Sequence, residues 1–165
     1  FLIEAYSLLR KRYPDLSLVL VGNRLAHHAD PGIDPAIERL SVARSVVFPG
    51  FVDQDDLPLV VRMSEAFVFP TLYEGFGIPL LEAMSQEVPI ACSDIPSLRE
   101  VASSAAVYFD PSNLAVCAET LYTLVTDSDM RRSLVEQGKI RMNDFSWLKS
   151  ATKLHSWYEH LSESK

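Results

Sequence analysis

A chain of 165 residues, 48% hydrophobic and 22% charged, is long enough for one domain with its own core and too apolar to stay disordered. Its net charge of -7 argues against the broad basic face of a nucleic-acid binder, though not against one local pocket for an anion. No apolar run reaches the roughly 20 residues that span a bilayer, and the opening residues do not read as a signal peptide.

Helical and strand patterns alternate along the chain. "FLIEAYSLLRKRY" sets Leu2, Ala5, Leu9 and Tyr13 three and four apart, which predicts an amphipathic helix whose last turn carries Arg10, Lys11 and Arg12. Phe1 opens that pattern with no initiator Met and no N-cap, as a piece cut from a longer protein would. "PDLSLVLVG" reads as a buried strand closed by Gly22, and "NRLAHHADPGI" as loop. Asp34 and Pro35 are expected to cap a helix through about residue 43. "SVVFPGF" then reads as a strand, "DQDDLPLVVRMS" as a helix with an acidic start, and "EAFVFP" as another strand. "VPIACS", "IPSLREVA" and "AVYF" predict strand, short helix and strand, and three helices follow, near residues 113–126, 129–141 and 146–161. Such alternation with short loops implies βαβ units, hence a doubly wound α/β domain with helices on both faces of a parallel sheet.

In such sheets ligands bind beyond the carboxyl ends of the strands. "PTLYEGFG" falls there as a loop, between the strand "AFVF" and a helix to about Gln86 that Pro79 suits in its first turn. Gly75 and Gly77 allow backbone conformations that a Cβ forbids and let a ligand approach the N–H groups. The helix start adds unpaired donors and a partial positive charge, so the turn reads as an anion site, best suited to phosphate. Glu74 precedes that site and Glu82 is placed near the first helical turn. Carboxylates accept hydrogen bonds from hydroxyls, so a ligand with hydroxyls on both sides of a phosphate fits, as a nucleoside diphosphate sugar does. The plainer alternative stands beside it. An acid in a first turn is common, worth about 0.3–1 kcal/mol through the helix dipole, and Gly-aromatic-Gly also serves as a simple turn.

"FVFPTLYEGFGIPLLEAMSQEVPIACSDIPSLREV" resembles the retaining glycosyltransferases of family 4, with Glu74 and Glu82 as their Glu-x7-Glu signature. "LSLVLVG", "VVFPGFVDQDDLPLVVRMSEAFVFP", "AAVYFDPSN" and "FSWLKSATKLHSWYEHL" extend the resemblance over nearly the whole chain, as the C-terminal half of a GT-B fold. The resemblance implies roles. Glu74 would hold the donor sugar's hydroxyls near the reacting carbon. Gly75, Phe76, Gly77 and Ile78 would offer backbone N–H groups to sugar and diphosphate. Glu82 would grip the ribose, and Gly22, Phe51 and Val52 would border the base. It also implies a UDP- or GDP-linked hexose donor, no bound metal or other cofactor, and a saccharide or lipid-linked acceptor held by an N-terminal domain. Peripheral membrane association of the longer enzyme, a cytoplasmic location and an inactive isolated chain go with that expectation. Two departures stand out. Glu87 occupies a turn where the family has Gly, and the family's phosphate-neutralising Arg and Lys belong to a segment upstream of the first helix.

Other residues read as structure. His27 and His28 are adjacent and lack a third ligand at zinc spacing, and His155 and His160 do not share a helix face. Cys92 and Cys117 lack redox or metal spacing and are expected in the core, as in a reducing compartment. Trp147, Ala151, Leu154, Tyr158 and Leu161 form an apolar stripe expected to pack. Ser93, Asp94, Arg99 and Glu100 are expected on a solvated surface. Two competing functions remain: a non-catalytic nucleotide-binding or regulatory module, and a sugar phosphorylase or nucleotide-sugar epimerase sharing the fold.

Overall fold

A computed structural model of the chain describes residues 1–23 and 30–163. Among the described residues, thirteen elements follow the predicted order: α1 (Leu2–Arg12), β1 (Leu18–Val21), α2 (Ile33–Arg39), β2 (Val46–Gly50), α3 (Leu57–Arg62), β3 (Phe67–Phe69), α4 (Ile78–Ser85), β4 (Ile90–Ser93), α5 (Pro96–Ala102), β5 (Ala106–Phe109), α6 (Leu114–Thr126), α7 (Ser128–Met142) and α8 (Trp147–Glu163). Every strand pairing is parallel, as helical crossovers require. The pairing falls into two pieces, β1-β2 and β3-β4-β5, rather than one continuous ladder. Helix α1 joins them. Its Ala5 and Leu9 enter a core with Ala91 of β4 and Phe109 of β5, while Ile3 and Tyr6 enter another with Val42 and Val46. The Tyr6 hydroxyl lies 2.8 Å from the Leu16 carbonyl and 3.0 Å from that of Ser45, which fixes α1 to the amino ends of β1 and β2.

The three-stranded sheet has helices on both faces. Central β4 is buried along its length. Ala91 faces α1 and α6, through Cys117, Leu121 and Leu124, whereas Ile90 and Cys92 face Leu80 and Met84 of α4 and Leu98 and Val101 of α5. Both cysteines are buried, as composition suggested. Strand β1 differs from the buried strand expected. Leu18 and Leu20 join the core under α1 and α2, but Val19, Val21 and Val47 stay exposed on the opposite face. Alternation of this kind belongs to a sheet covered on one side.

Further departures have local causes. Helix α2 takes Gly32 as its N-cap, puts Asp34 in its first turn, and stops at Arg39 before Ser41 turns left-handed at φ 56°. Glu87 adopts the left-handed conformation that was expected of glycine, at φ 59°, and Lys139 pairs with its carboxylate at 3.0 Å. The α8 stripe does not pack within the domain: Trp147, Leu154, Tyr158 and Leu161 are all exposed. Among the described residues, no helix is long and apolar enough to cross a membrane.

Candidate functional site

The loop from Pro70 to Gly77 leaves β3 at the carboxyl end of the three-stranded sheet and leads into α4. Its bends are local. The Thr71 hydroxyl donates to the Tyr73 carbonyl at 2.8 Å, and the Gly75 N–H donates to Oε1 of half-buried Glu74 at 3.0 Å. Gly77 then caps α4 in the left-handed region, at φ 95° and ψ 46°. A Cβ on Gly77 would stand 2.6 Å from Cδ2 of Leu98, so conformation and space both demand glycine there. Pro79 sits in the first turn, as predicted, and contributes no orphan N–H. The turn is a fixed glycine cap at a helix start.

Gly75 is different. Its φ is not positive, and an added Cβ would meet nothing within 4 Å, so the backbone does not require glycine. What glycine leaves is open room beside its N–H. Glu82 also departs from its predicted place. Because α4 begins at Ile78, Glu82 is the helix's fifth residue, in the second turn rather than the first, and its side chain is exposed. Phe76 and Ile78 are exposed as well. Glu74, Gly75, Phe76, Gly77, Ile78 and Glu82 thus remain one local group around the start of α4.

A second group lies at the carboxyl end of the two-stranded sheet. The Gly22 N–H donates to the Gly50 carbonyl at 3.0 Å, which sets Gly22 beside Gly50, exposed Phe51 and half-buried Val52. The segment after Asn23, with His27 and His28, lies outside the described residues.

Beyond β4, the expected solvated surface is partly built in. Ser93 is fully buried, and Asp94 anchors to β5 by donating its N–H to the Phe109 carbonyl at 2.8 Å. Arg99 donates to both Asp94 oxygens and covers the Tyr108 ring at 4.4 Å. That hydrogen bonding holds the Asp94 carboxyl below its usual range. The Tyr108 hydroxyl donates to the Ser103 carbonyl at 2.6 Å, and burial pushes its ionisation up to about 12. Burial likewise pushes the Cys92 thiol up to about 12, so neither group offers an anion at neutral pH.

Two residues that shape the turn carried no site signal in the sequence. Leu98 sets the close contact at Gly77, and Phe145 meets the Phe76 ring edge-on, 5.9 Å between centroids at 82°. The motif "FSW" contains Phe145, but spacing alone gives no hint that it reaches a loop some seventy residues away.

Comparison with known proteins identifies the family and the fold. The profile of the family "Glycosyl transferases group 1" matches residues 1–141. O-antigen chain mannosyltransferase B of Escherichia coli is 36% identical over 165 residues, taking in 97% of this chain and 42% of that protein. Sucrose-phosphate synthase from Thermosynechococcus elongatus superposes with a TM-score of 0.83 at 22% identity, over 99% of this chain and 43% of the other. Anabaena HepE, solved in complex with UDP and glucose, superposes with a TM-score of 0.80 at 19% identity, over 96% and 44%. The chain therefore spans less than half the length of the mannosyltransferase it matches. Profile and fold point the same way, and the chain belongs to the group 1 glycosyl transferases, as a Rossmann-like domain of the GT-B type.

Proposed function

We propose that this domain binds the nucleotide-sugar donor of a retaining hexosyltransferase. The carrying observation is the turn itself: Glu74 and Glu82 on either side of a left-handed glycine cap that opens α4 at the carboxyl ends of parallel strands. The helix start favours the diphosphate. Glu74 takes the sugar hydroxyls, Glu82 the ribose, and Gly75, Phe76, Gly77 and Ile78 give backbone donors, while Gly22, Phe51 and Val52 border the base. The mannosyltransferase relative supports a hexose as the group moved, and the HepE complex supports a uridine nucleotide as one candidate donor. The acceptor is a saccharide or lipid-linked sugar, bound by a separate N-terminal domain, and the site uses no metal. In transfer, the bond from the anomeric carbon to the diphosphate oxygen breaks. The acceptor oxygen bonds on the same face, and its proton passes to the departing phosphate. Glu74 positions and stabilises the charged sugar rather than attacking it.

A thermal-shift screen with UDP, GDP, ADP and their sugars tests the reading. We expect UDP or GDP compounds to raise the melting temperature with saturable concentration dependence. A flat response to all of them at millimolar concentration would refute donor binding.

A further inference from the structure

We propose that Phe145 is a positioning residue for the donor turn, and that it carries the placement of helix α8 into the nucleotide-sugar site. The proposal rests on the donor-site reading above. The turn Gly75-Phe76-Gly77 is held at two points. Gly77 bears on Leu98 of α5, and Phe76 bears on Phe145, edge to face. An edge-to-face pair fixes orientation as well as distance, because the positive ring edge seeks the negative ring face. Phe76 is otherwise half in solvent, 45% exposed, and Phe145 is the aromatic ring that meets it.

Phe145 is itself anchored. It packs against the core cluster that contains Leu80, Leu98 and Val101. The Arg141 guanidinium covers its ring at 4.7 Å. Arg141 is tied down in turn: it donates to the carbonyls of Val101 at 2.9 Å and Glu100 at 2.6 Å, and to the Asp144 carboxylate at 2.6 Å. One anchored chain therefore runs from the end of α5 through Arg141 and Phe145 to Phe76. Only Ser146 separates Phe145 from Trp147, the first residue of α8. The apolar side chains of α8 are exposed along its length, so no packing within the domain sets its direction. Lys149 in the first turn of α8 donates to the Asn143 carbonyl at 2.8 Å, so the start of α8 is tied to the same segment that carries Phe145 to the donor turn.

The test uses the isotopically labelled chain and its Phe145→Ala, Phe145→Leu and Phe145→Tyr variants. Backbone order parameters of Phe76, Gly77 and Ile78 should fall from about 0.85 to below about 0.6 in Phe145→Ala, while those of Leu80 to Ser85 hold. Phe145→Tyr should keep wild-type values, which a general loss of core packing would not predict. Affinity for UDP and GDP by calorimetry should drop about threefold to tenfold in Phe145→Ala and recover in Phe145→Tyr, the range of one aromatic pair. Both tryptophans lie on α8, so Trp157→Phe leaves Trp147 as the reporter beside Phe145. Saturating nucleotide should then shift Trp147 emission, and Phe145→Ala at saturation should abolish the shift. Unchanged order parameters in Phe145→Ala overturn the positioning role, and an unshifted Trp147 at saturation overturns the link to α8. If the alanine variant loosens throughout, Phe145→Leu, which keeps volume but loses the ring, is judged by the same criteria. Should the wild-type chain bind neither nucleotide, the donor-site reading falls, and the order parameters still decide whether Phe145 holds the turn.

Discussion

Gly75 and Gly77 stand two residues apart in one turn, yet a methyl group added to each meets opposite surroundings. Gly77→Ala puts a Cβ at φ 95° and 2.6 Å from Leu98. Left-handed strain of about 1–2 kcal/mol and overpacking of about 1–3 kcal/mol should together remove about 2–5 kcal/mol. Urea denaturation measures that loss directly. Gly75→Ala meets open space, so stability should stay within about 0.5 kcal/mol. If a ligand approaches the N–H there, nucleotide affinity must nevertheless fall in Gly75→Ala, and the two readouts part. The acids separate in a similar way. By the proposal, Glu82 accepts a hydrogen bond from the ribose, and a bond to a charged acceptor is worth about 1.5–3 kcal/mol, so Glu82→Ala should weaken nucleoside diphosphate binding at least tenfold in calorimetry. By the same proposal, Glu74→Ala should leave free nucleoside diphosphate bound and cut turnover in an enzyme that also holds the acceptor. Equal loss of both properties in Glu74→Ala would place that carboxylate on the nucleotide instead.

Among the elements, the buried strand β4 carries a pH-sensitive group. Burial raises the Cys92 thiol from 9.0 to about 12 and the Cys117 thiol of α6 to about 11. The unfolded chain loses these protons above about pH 9, whereas the folded chain keeps them, so the unfolded state binds fewer protons through that window. Stability is therefore whole below pH 9 and declines as pH rises toward 11 to 12. Urea midpoints should be flat from pH 6 to 8 and drop beyond 9, less steeply in Cys92→Ala, and native protein should resist a thiol reagent at pH 8. A midpoint independent of pH up to 11 would contradict the burial. Alternation, β-branched runs and Pro79 made the elements and the placement of the turn legible in the sequence, because those signals act over a few residues. What was not legible depends on distant packing. Glu82 moved to the second turn because Gly77, pressed on Leu98, decides where α4 begins. Val19 and Val21 look like core in a β-branched run, yet which face of β1 is covered depends on where α1 and α2 lie. Glu87 keeps a left-handed turn because the backbone around it holds, its N–H donating to the Met84 carbonyl at 3.0 Å and that of Val88 to the Ala83 carbonyl at 3.2 Å.

At the scale of the whole molecule, an acidic chain has to hold a diphosphate. With a net charge of -7, the long-range field repels the ligand, and the described residues proposed for the site offer it backbone dipoles and carboxylates that accept from hydroxyls, with no cationic side chain among them. Charge-assisted contacts are about twice as strong as neutral ones, so affinity of this chain alone should be weak, on the order of high micromolar to millimolar. Raising ionic strength should then weaken binding little or even strengthen it, because screening removes repulsion. Transfer needs an acceptor held against the reacting carbon, and by our proposal that task belongs to another domain, so the 165-residue chain should make no product above the uncatalysed rate. Helix α8 presents an apolar face to solvent. Its exposed stripe of Trp147, Leu154, Tyr158 and Leu161 is an apolar patch of the kind that seeks a partner surface. In this chain the nearest candidate is another copy, so sedimentation should show concentration-dependent association that disappears when Trp147, Leu154 and Tyr158 are changed to serine. Incubation with nucleotide sugars and mixed acceptors, with calorimetry beside it, completes the test. Product above background, or submicromolar donor affinity, would mean that the donor domain holds and activates its substrate unaided, and the cationic help would then have to come from Arg99 or another side chain already in place.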